Sequence, residues 1–398
     1  MSVGGRGLKV LHLGGSGLFG LPAARRLAAS ETVTEICLAG RNEDALGRAV
    51  AQVGDKARGV QLDARDADRV SSVAADFDLV VNTAGPEWEV LLPSLRGAIA
   101  AGTHYCDIGA FGRTAREQLA LDPAAKNRDV VAVLGIGFDP GLDNLLAAYA
   151  SRKLDSVDEI QLRHRWLGPE YVSQSLDLYR KDGHVDTSLQ GTLKVLNEPV
   201  PVYRDGEWTE VDALETASEF VLPGARSARA FPFGTSEAIT LPRHVAGVRS
   251  VSTVLIVEPP QLAELLVRTV RRIRTERLAP LGAAKSFLGT VGEDPDRWLK
   301  TPEGVAPASG WYTSAAATGW KEGVRARLTC WPDGLPSSTV IPLTVAALRI
   351  LRGEVSARGV LPPEGCFEPM SFFKETATYA KEEDRAKPLL GESTEWIE

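Results

Sequence analysis

Three titratable side chains stand close together at His104, Tyr105 and Asp107, in a segment that reads as a short buried strand. Imidazole, phenol and carboxyl groups are among the side chains that most often transfer protons in enzymes. A buried carboxylate needs partners, so Asp107 is hard to interpret as an ordinary core residue, whereas His104 and Tyr105 can be satisfied inside a core. We predict these three residues as the catalytic candidates, at the carboxyl end of their strand.

A different chemistry is indicated near the N-terminus, where Gly15, Gly17 and Gly20 fit the pattern G-x-G-x-x-G. The first glycine permits a tight turn with positive φ, the second lets backbone amides approach a pyrophosphate, and the third lets a helix pack closely on a strand. The apolar run before the glycines and the amphipathic segment after them predict that strand and helix, with the phosphates at the helix N-terminus. The predicted phosphate-binding residues are Gly15, Ser16, Gly17, Leu18, Phe19 and Gly20.

The end of the second predicted strand bears on the choice between NAD and NADP. An acidic residue about 20 positions beyond the glycines usually holds the ribose 2′-hydroxyl of NAD, but this chain has Arg41 and Asn42 there. An arginine pairs well with a 2′-phosphate, so we predict NADP (NADPH) as the cofactor. The alternative is that Arg41 lies in solvent at the strand end. Asp63, after the third strand, either accepts a hydrogen bond from the adenine amino group or forms a turn.

The fourth predicted strand runs into small residues that suit the close approach of a cofactor. Because this strand lies across the topological switch point from the first, its end should line the crevice that leads to the nicotinamide. The residues predicted there are Asn82, Thr83, Ala84, Gly85 and Pro86. Glu87 and Trp88 follow, and they either present a carboxylate and an aromatic plane to a substrate or begin the next helix.

The first part of the chain predicts alternating strands and helices, and these would position the candidate residues. Six apolar runs separated by helical segments predict an α/β fold, a Rossmann doubly wound parallel sheet. After position 150, period-two alternation and hairpin signals predict a second, α+β domain built on a mostly antiparallel open sheet, in which residues 188–212 form strand, turn and strand. The predicted segments are the Rossmann domain at 1–140, the substrate and dimerisation domain at 141–340, C-terminal helices at 341–380 and a charged tail at 381–398.

Composition and charge exclude several other classes. The net charge of −7 without any basic stripe argues against a nucleic-acid partner. No apolar run approaches the ~20 residues that span a bilayer, and the first residues lack the apolar stretch of a signal peptide, so we expect a cytoplasmic protein without a membrane partner. The cysteines are scattered and make no C-x-x-C pair, so we expect no metal site. They stand at Cys37, Cys106, Cys330 and Cys366.

Five phrases occur in order along the first 150 residues, namely GGSGLFG, AGRN, NTAGP, GTHYCDIG and GIGFDPGLDN. In this order and spacing they resemble the saccharopine dehydrogenase-like family of NADP-binding oxidoreductases. The resemblance implies a Rossmann domain, a mixed α/β substrate domain and C-terminal segments that return to the first domain. It also implies hydride transfer at a C–N bond, with Asp107 or Tyr105 orienting or protonating the nitrogen and His104 tuning that group.

Substrate identity stays open among several possibilities. Where relatives often have an aromatic residue or glutamine after the G-P of the fourth strand, this chain has Glu87 and Trp88. We predict substrate contacts at these two residues, at Asp139 and at Arg165, and we expect a small-molecule substrate and a homodimer. One alternative is a C=C (enoyl) reductase, with an apolar cavity lined by the small and apolar residues between 282 and 317. The other is a non-catalytic NADP-binding protein that regulates a partner.

Overall fold

The computed structural model describes residues 7–222, 226–300 and 313–397. Within them the strands β1 to β16 are Leu8–Leu13, Val33–Gly40, Ala57–Gln61, Leu79–Asn82, His104–Asp107, Val131–Val133, Ser156–His164, Val200–Arg204, Glu207–Val211, Ser218–Leu222, Arg226–Pro232, Ser250–Val257, Thr313–Lys321, Val324–Pro332, Gly359–Leu361 and Leu390–Trp396. The helices α1 to α16 are Gly20–Ala29, Glu43–Val53, Ala67–Ala74, Glu87–Ala101, Gly112–Leu119, Asp122–Asn127, Leu142–Ser151, Pro169–Asp182, Thr187–Asn197, Glu237–Thr240, Pro260–Glu276, Pro280–Glu293, Pro295–Leu299, Val340–Leu351, Pro369–Ala377 and Glu382–Arg385.

The chain divides into two compact units, and each contains one large sheet. The first unit comprises the described residues up to 149 together with 334–389, and the second comprises the described residues of 150–333 together with 390–397.

The sheet of the first unit is a parallel, doubly wound sheet, as the sequence predicted. Its strands lie in the order β15-β6-β5-β4-β1-β2-β3, and every neighbouring pair is parallel. The chain order reverses on either side of β1, which pairs with β2 on one side and with β4 on the other. Leu13 at the carboxyl end of β1 is therefore level with Asn82 at the end of β4. Ligands of such sheets bind at this reversal point.

Helix α14 explains why residues far along the chain belong to the first unit. All its residues from Val340 to Ile350 are buried, and a helix that is apolar on every side needs a covered position. Its one buried cation, Arg349, donates to Glu375 Oε2 at 2.6 Å and to the backbone oxygen of Ser371 at 2.9 Å. These contacts join α14 to α15. Strand β15 follows α14 and adds to the free edge of β6.

The second unit contains a nine-stranded sheet that is mostly antiparallel, again as predicted. The strand order is β10-β11-β12-β7-β13-β14-β16, with the β8–β9 hairpin beside β12, and the pair of β12 and β7 is parallel. Asp205 and Gly206 join β8 to β9 with φ values of 52° and 89°. Positive φ at both turn residues is what a tight hairpin turn of the primed type requires, so the predicted hairpin is confirmed.

Two segments of the second unit differ from the prediction. Residues 188–196 were expected to form a strand, but they lie in helix α9, whose N-terminus is capped by Asp186 accepting from the amide of Leu189 at 2.9 Å. Residues 390–396 of the charged tail form β16, which pairs with β14 along its whole length. The tail is ordered by its pairing with β14 rather than by its own composition, whereas the cap of α9 is local.

No helix among the described residues is long and apolar enough to cross a membrane. The segment 282–317, proposed as the lining of an apolar cavity, includes residues 301–312, which lie outside the described residues.

Candidate dinucleotide site and adjacent carboxyl groups

The glycine cluster forms a tight turn between β1 and α1. The positive φ belongs to Gly14, at +74°, and not to Gly15 as the sequence pattern suggested. A Cβ atom on Gly14 would lie 2.6 Å from the amide nitrogen of Ala84, and one on Gly20 would lie 2.0 Å from the carbonyl oxygen of Gly14. At Gly17 the nearest such atom is 3.2 Å away. The fold itself therefore requires Gly14 and Gly20, whereas a Cβ on Gly17 would make one close contact, 3.2 Å from the carbonyl oxygen of Gly14.

The N-terminus of α1 is available to an anion. The residue before it, Phe19, provides no side-chain hydrogen bond to the first turn, and Leu18 is 68% exposed. The first amides of a helix carry the positive end of its dipole and need acceptors from outside the helix. The geometry therefore fits a pyrophosphate group at this turn.

The buried His12 and the half-buried Thr83 connect the first strand to the end of the fourth beside the turn. His12 Nε2 lies 3.1 Å from Thr83 Oγ1, which also contacts the carbonyl oxygens of Leu13 and Gly14. Burial lowers the pKa of His12 to about 3, so its ring is neutral. Sequence reasoning missed His12 because a single histidine in an apolar strand has no distinguishing spacing.

At the predicted ribose end, Arg41 is an exposed cation and Asp63 is an acid that is already paired with a cation. Arg41 is exposed, and the side-chain oxygen of Asn42 caps α2 by accepting from the amide of Ala45 at 2.9 Å. Asp63 pairs with Arg65 at 2.6 Å. The hydrogen bonds from Arg65 lower the pKa of Asp63 to about 2, with a smaller contribution from the charge of Arg41. Asp63 is therefore ionised and already has a cationic partner.

The end of β4 is held by the side chain of Asn82. Its Oδ1 accepts from the amide of Ala84 at 2.9 Å, and its Nδ2 donates to the hydroxyl of Tyr105 at 3.1 Å. The peptide bond between Gly85 and Pro86 is cis, and α4 begins directly afterwards. The predicted residues 82–86 thus lie together next to the glycine turn.

Asp107 is fully buried and hydrogen-bonded through both oxygens. Its Oδ1 accepts from the amides of Gly109 at 2.9 Å and Gly135 at 2.8 Å, and its Oδ2 accepts from Gln118 Nε2 at 2.8 Å. Burial raises the pKa of Asp107, and these hydrogen bonds oppose that rise. Asp107 therefore fixes the segments that follow β5 and β6, and sequence reasoning missed its partner Gln118.

Glu87 binds the segment that follows Asp107. Its Oε1 accepts from the amide of Phe111 at 2.7 Å and its Oε2 from the amide of Ala110 at 3.0 Å. Burial raises the pKa of Glu87 to about 7, with a further contribution from the charge of Asp107, while the two amide hydrogen bonds act in the opposite direction. Trp88 stacks on Phe111, with ring centroids 5.8 Å apart and planes 6° from parallel.

The remaining predicted catalytic residues lie in two different places. Tyr105 is fully buried, and its hydroxyl donates to Asp107; burial raises its pKa well above the usual value, and the charge of Asp107 adds to this. His104 is the first residue of β5, so it lies at the amino end of the strand, and its Nδ1 accepts from the amide of Val131 at 3.2 Å. This corrects the predicted position, because about 10 Å of strand separates His104 from Asp107.

The predicted substrate residues are likewise divided. Glu87, Trp88 and the half-buried Asp139 belong to the first unit, whereas Arg165 belongs to the second. Arg165 is buried, with its Nε 3.7 Å from Glu258 Oε1. Sequence reasoning also missed Glu237, a fully buried carboxyl whose Oε1 lies 3.4 Å from His164 Nε2.

Comparison with known families identifies the part of the chain that contains this site. Residues 10–133 match the family described as Saccharopine dehydrogenase NADP binding domain. They belong to that family. The resemblance inferred from five sequence phrases is thus confirmed, together with the assignment to a family of dehydrogenases. The matched stretch contains the glycine turn, Arg41, the end of β4, the half-buried Glu87 and the buried Asp107.

Relatives with assigned names match parts of the chain. Carboxyaminopropylagmatine dehydrogenase from Synechocystis is 25% identical over 224 residues, which is 54% of each chain. A trans-acting enoyl reductase from Mycobacterium leprae is 29% identical over 143 residues, which is 35% of this chain and 34% of that protein. The chain thus spans about half the length of the first relative and about a third of the second.

Among solved structures, the apo histidine-tagged saccharopine dehydrogenase (L-Glu forming) from Saccharomyces cerevisiae has the same fold. The match has a TM-score of 0.64 at 18% identity and covers 98% of this chain and 100% of the yeast chain. The likeness therefore confirms the fold around the NADP-binding domain.

Proposed function

We propose that this protein is an NADP(H)-dependent oxidoreductase that transfers hydride at the C–N bond of an amino-acid-like amine. The observation that supports the proposal is the turn from Gly14 to Gly20, in a stretch that matches an NADP-binding family. Added Cβ atoms would collide there with backbone, and the helix that follows lacks a side-chain cap. Both features suit a pyrophosphate.

The cofactor is expected to bind along the carboxyl ends of the strands. In this proposal the turn at Gly14–Gly20 holds the pyrophosphate, and Arg41 holds the 2′-phosphate of NADP. Arg41 has an exposed guanidinium, and the nearby carboxylate of Asp63 is already paired with Arg65. Repulsion between Asp63 and a phosphate is therefore reduced. When bound, the cofactor supplies the hydride.

The protein must manage one proton for each hydride. We propose that Asp107 and Tyr105 serve this need, since the two side chains share a hydrogen bond and connect through Asn82 to the predicted nicotinamide end. Tyr105 is kept protonated by the rise in its pKa, so it can donate to a nitrogen or to Asp107.

The relatives' names support two substrate classes. Carboxyaminopropylagmatine is an amine that carries a carboxyl group, and the match to its dehydrogenase covers the larger share of this chain. This favours the C–N bond. The match to trans-acting enoyl reductases supports the second candidate, reduction of a C=C bond.

Turnover assays distinguish the candidates. The full-length protein would be incubated with NADP⁺ and carboxyaminopropylagmatine or saccharopine, and separately with NADPH and enoyl thioesters, while the absorbance of reduced nicotinamide is followed. We expect reduction of NADP⁺ by a secondary amine. Oxidation of NADPH by enoyl thioesters alone would favour the second candidate, and NADPH binding without turnover of any substrate would favour a non-catalytic role. Light scattering on the same sample would test the proposed homodimer.

A further inference from the structure

Three consecutive backbone amides after β5 donate to two carboxylates. The amide of Gly109 donates to Asp107, and those of Ala110 and Phe111 donate to opposite oxygens of Glu87. The segment 108–111 begins where β5 ends, and Asp107 at that end is level with Asn82 of β4. It therefore lies at the same edge of the sheet as the predicted nicotinamide end.

Glu87 and Trp88 both contact Phe111, one through its main chain and the other through its ring. Glu87 binds the main chain of Phe111, and Trp88 stacks on the ring of Phe111. Phe111 in turn is the residue before α5, and it provides no side-chain cap for that helix. The position of the whole segment thus depends on the first turn of α4.

We propose that Glu87 is a positioning residue, and that its carboxyl group, bound to two backbone amides, holds segment 108–111 in place beside the cofactor. The inference rests on the proposed dinucleotide site, but the contacts that it uses are independent of any substrate.

The chemistry of a carboxyl group suits this role. An ionised carboxylate accepts at both oxygens, whereas the amide of a glutamine accepts at its oxygen and presents N–H donors at the other position. Glu87→Gln therefore loses one of the two bonds to the segment. Burial raises the pKa of Glu87 to about 7, so the carboxyl is ionised above neutral pH.

Among the charged groups near α4, Asp107 is the one whose charge raises the pKa of Glu87, and this effect is smaller than that of burial. Tyr105 acts through its bond to Asp107. On the side of α3, Arg65 pairs with Asp63 and lies 3.4 Å from Glu89. The other charged side chains on the two helices packed against α4 are exposed, and they are Asp68, Arg69, Arg113, Arg116 and Glu117.

The test compares Glu87→Gln and Glu87→Asp with a matched control, Glu89→Gln. Glu89 lies on the same turn of α4, is exposed and makes no bond to segment 108–111 among the described contacts. Amide hydrogen exchange of the peptide that contains residues 108–115 would be measured in the full-length protein above neutral pH, where Glu87 is ionised, together with NADPH affinity.

Glu87→Gln should show protection about tenfold lower than wild-type protein and Glu89→Gln, which is the effect of losing one charge-assisted bond, together with lower turnover. Glu87→Asp should recover part of the protection. Equal protection in Glu87→Gln and wild type would overturn the inference. Wild-type protein that binds no NADPH would instead overturn the proposed function, while the exchange result would still decide the role of Glu87.

Discussion

Asn82 and Tyr105 form a buried hydrogen bond across two neighbouring strands, with Asn82 Nδ2 donating to the tyrosine hydroxyl at 3.1 Å. The other end of the Asn82 amide holds Ala84, and the tyrosine hydroxyl donates to Asp107. One continuous polar network therefore runs from the residues beside the glycine turn to the segments after β5 and β6. A change in Tyr105 should therefore alter the hydrogen bonds of both Asn82 and Asp107.

Replacement of Tyr105 by phenylalanine tests this network. The change removes a hydroxyl and leaves Asn82 Nδ2 without its buried acceptor, so we expect the free energy of unfolding to fall by about 1–2 kcal/mol. If the tyrosine manages the proton, kcat should also fall while NADPH affinity is retained. Denaturant unfolding and steady-state kinetics would measure the two effects. Tyr203→Phe is a suitable control, because this half-buried residue lies in the second unit. An unchanged kcat in Tyr105→Phe would remove the hydroxyl from the reaction.

Features that depend on local sequence were predictable for the first unit. The apolar runs predicted the strands of the parallel sheet correctly, because buried parallel strands consist of nearly continuous apolar residues. The glycine turn was predictable because close backbone approach excludes side chains, although the left-handed residue proved to be Gly14. Features that depend on where a strand begins were less predictable. His104 was placed at the wrong end of β5 because a four-residue strand gives little indication of its limits.

Partners that are distant in sequence could not be predicted. Gln118 of α5 binds Asp107 of β5, and the amides bound by Glu87 lie 23 and 24 positions away. Helix α9 was read as a strand although Leu189, Leu193 and Leu196, all fully buried, follow a helical spacing. The Leu-Lys-Val-Leu run near its end contains a β-branched residue and imitates a strand over a short window.

Replacement of Arg41 by aspartate tests the choice of cofactor. We expect NADPH affinity to fall by about tenfold to a hundredfold, because a charge-assisted pair is lost and a repulsive charge replaces it, while NADH affinity changes little. Isothermal titration with both nucleotides would measure this. Arg48→Asp makes the same charge change on the exposed face of α2 and should leave the ratio of affinities unaltered. Equal losses for NADPH and NADH in Arg41→Asp would exclude contact with the 2′-phosphate.

The stability of the protein should depend on pH through Glu87. Its pKa is raised from 4.5 to about 7, so the folded state favours the protonated form. This contribution is fully present below the ordinary pKa of 4.5 and is lost as pH rises through about 7. The difference in unfolding free energy between wild type and Glu87→Gln should therefore fall by about 2 kcal/mol across this range, after allowance for the partial exposure of the side chain. Urea unfolding at a series of pH values would measure it, and a difference that is independent of pH would contradict the raised pKa.

Two alanine substitutions in the glycine turn should have separable effects. At Gly20 a Cβ would lie 2.0 Å from the carbonyl oxygen of Gly14, so Gly20→Ala should displace α1 from β1 and destabilise the first unit by about 3 kcal/mol or more. At Gly17 the nearest atom is 3.2 Å away and φ is not positive, so Gly17→Ala should lose much less stability than Gly20→Ala. Its methyl group would nevertheless occupy the space in which a pyrophosphate approaches the amides, and NADPH affinity should fall at least tenfold.

Thermal unfolding and NADPH titration of both variants would decide between a phosphate-binding turn and a purely structural one. A Gly17→Ala protein that binds NADPH as tightly as wild type would show that the pyrophosphate does not lie against this turn.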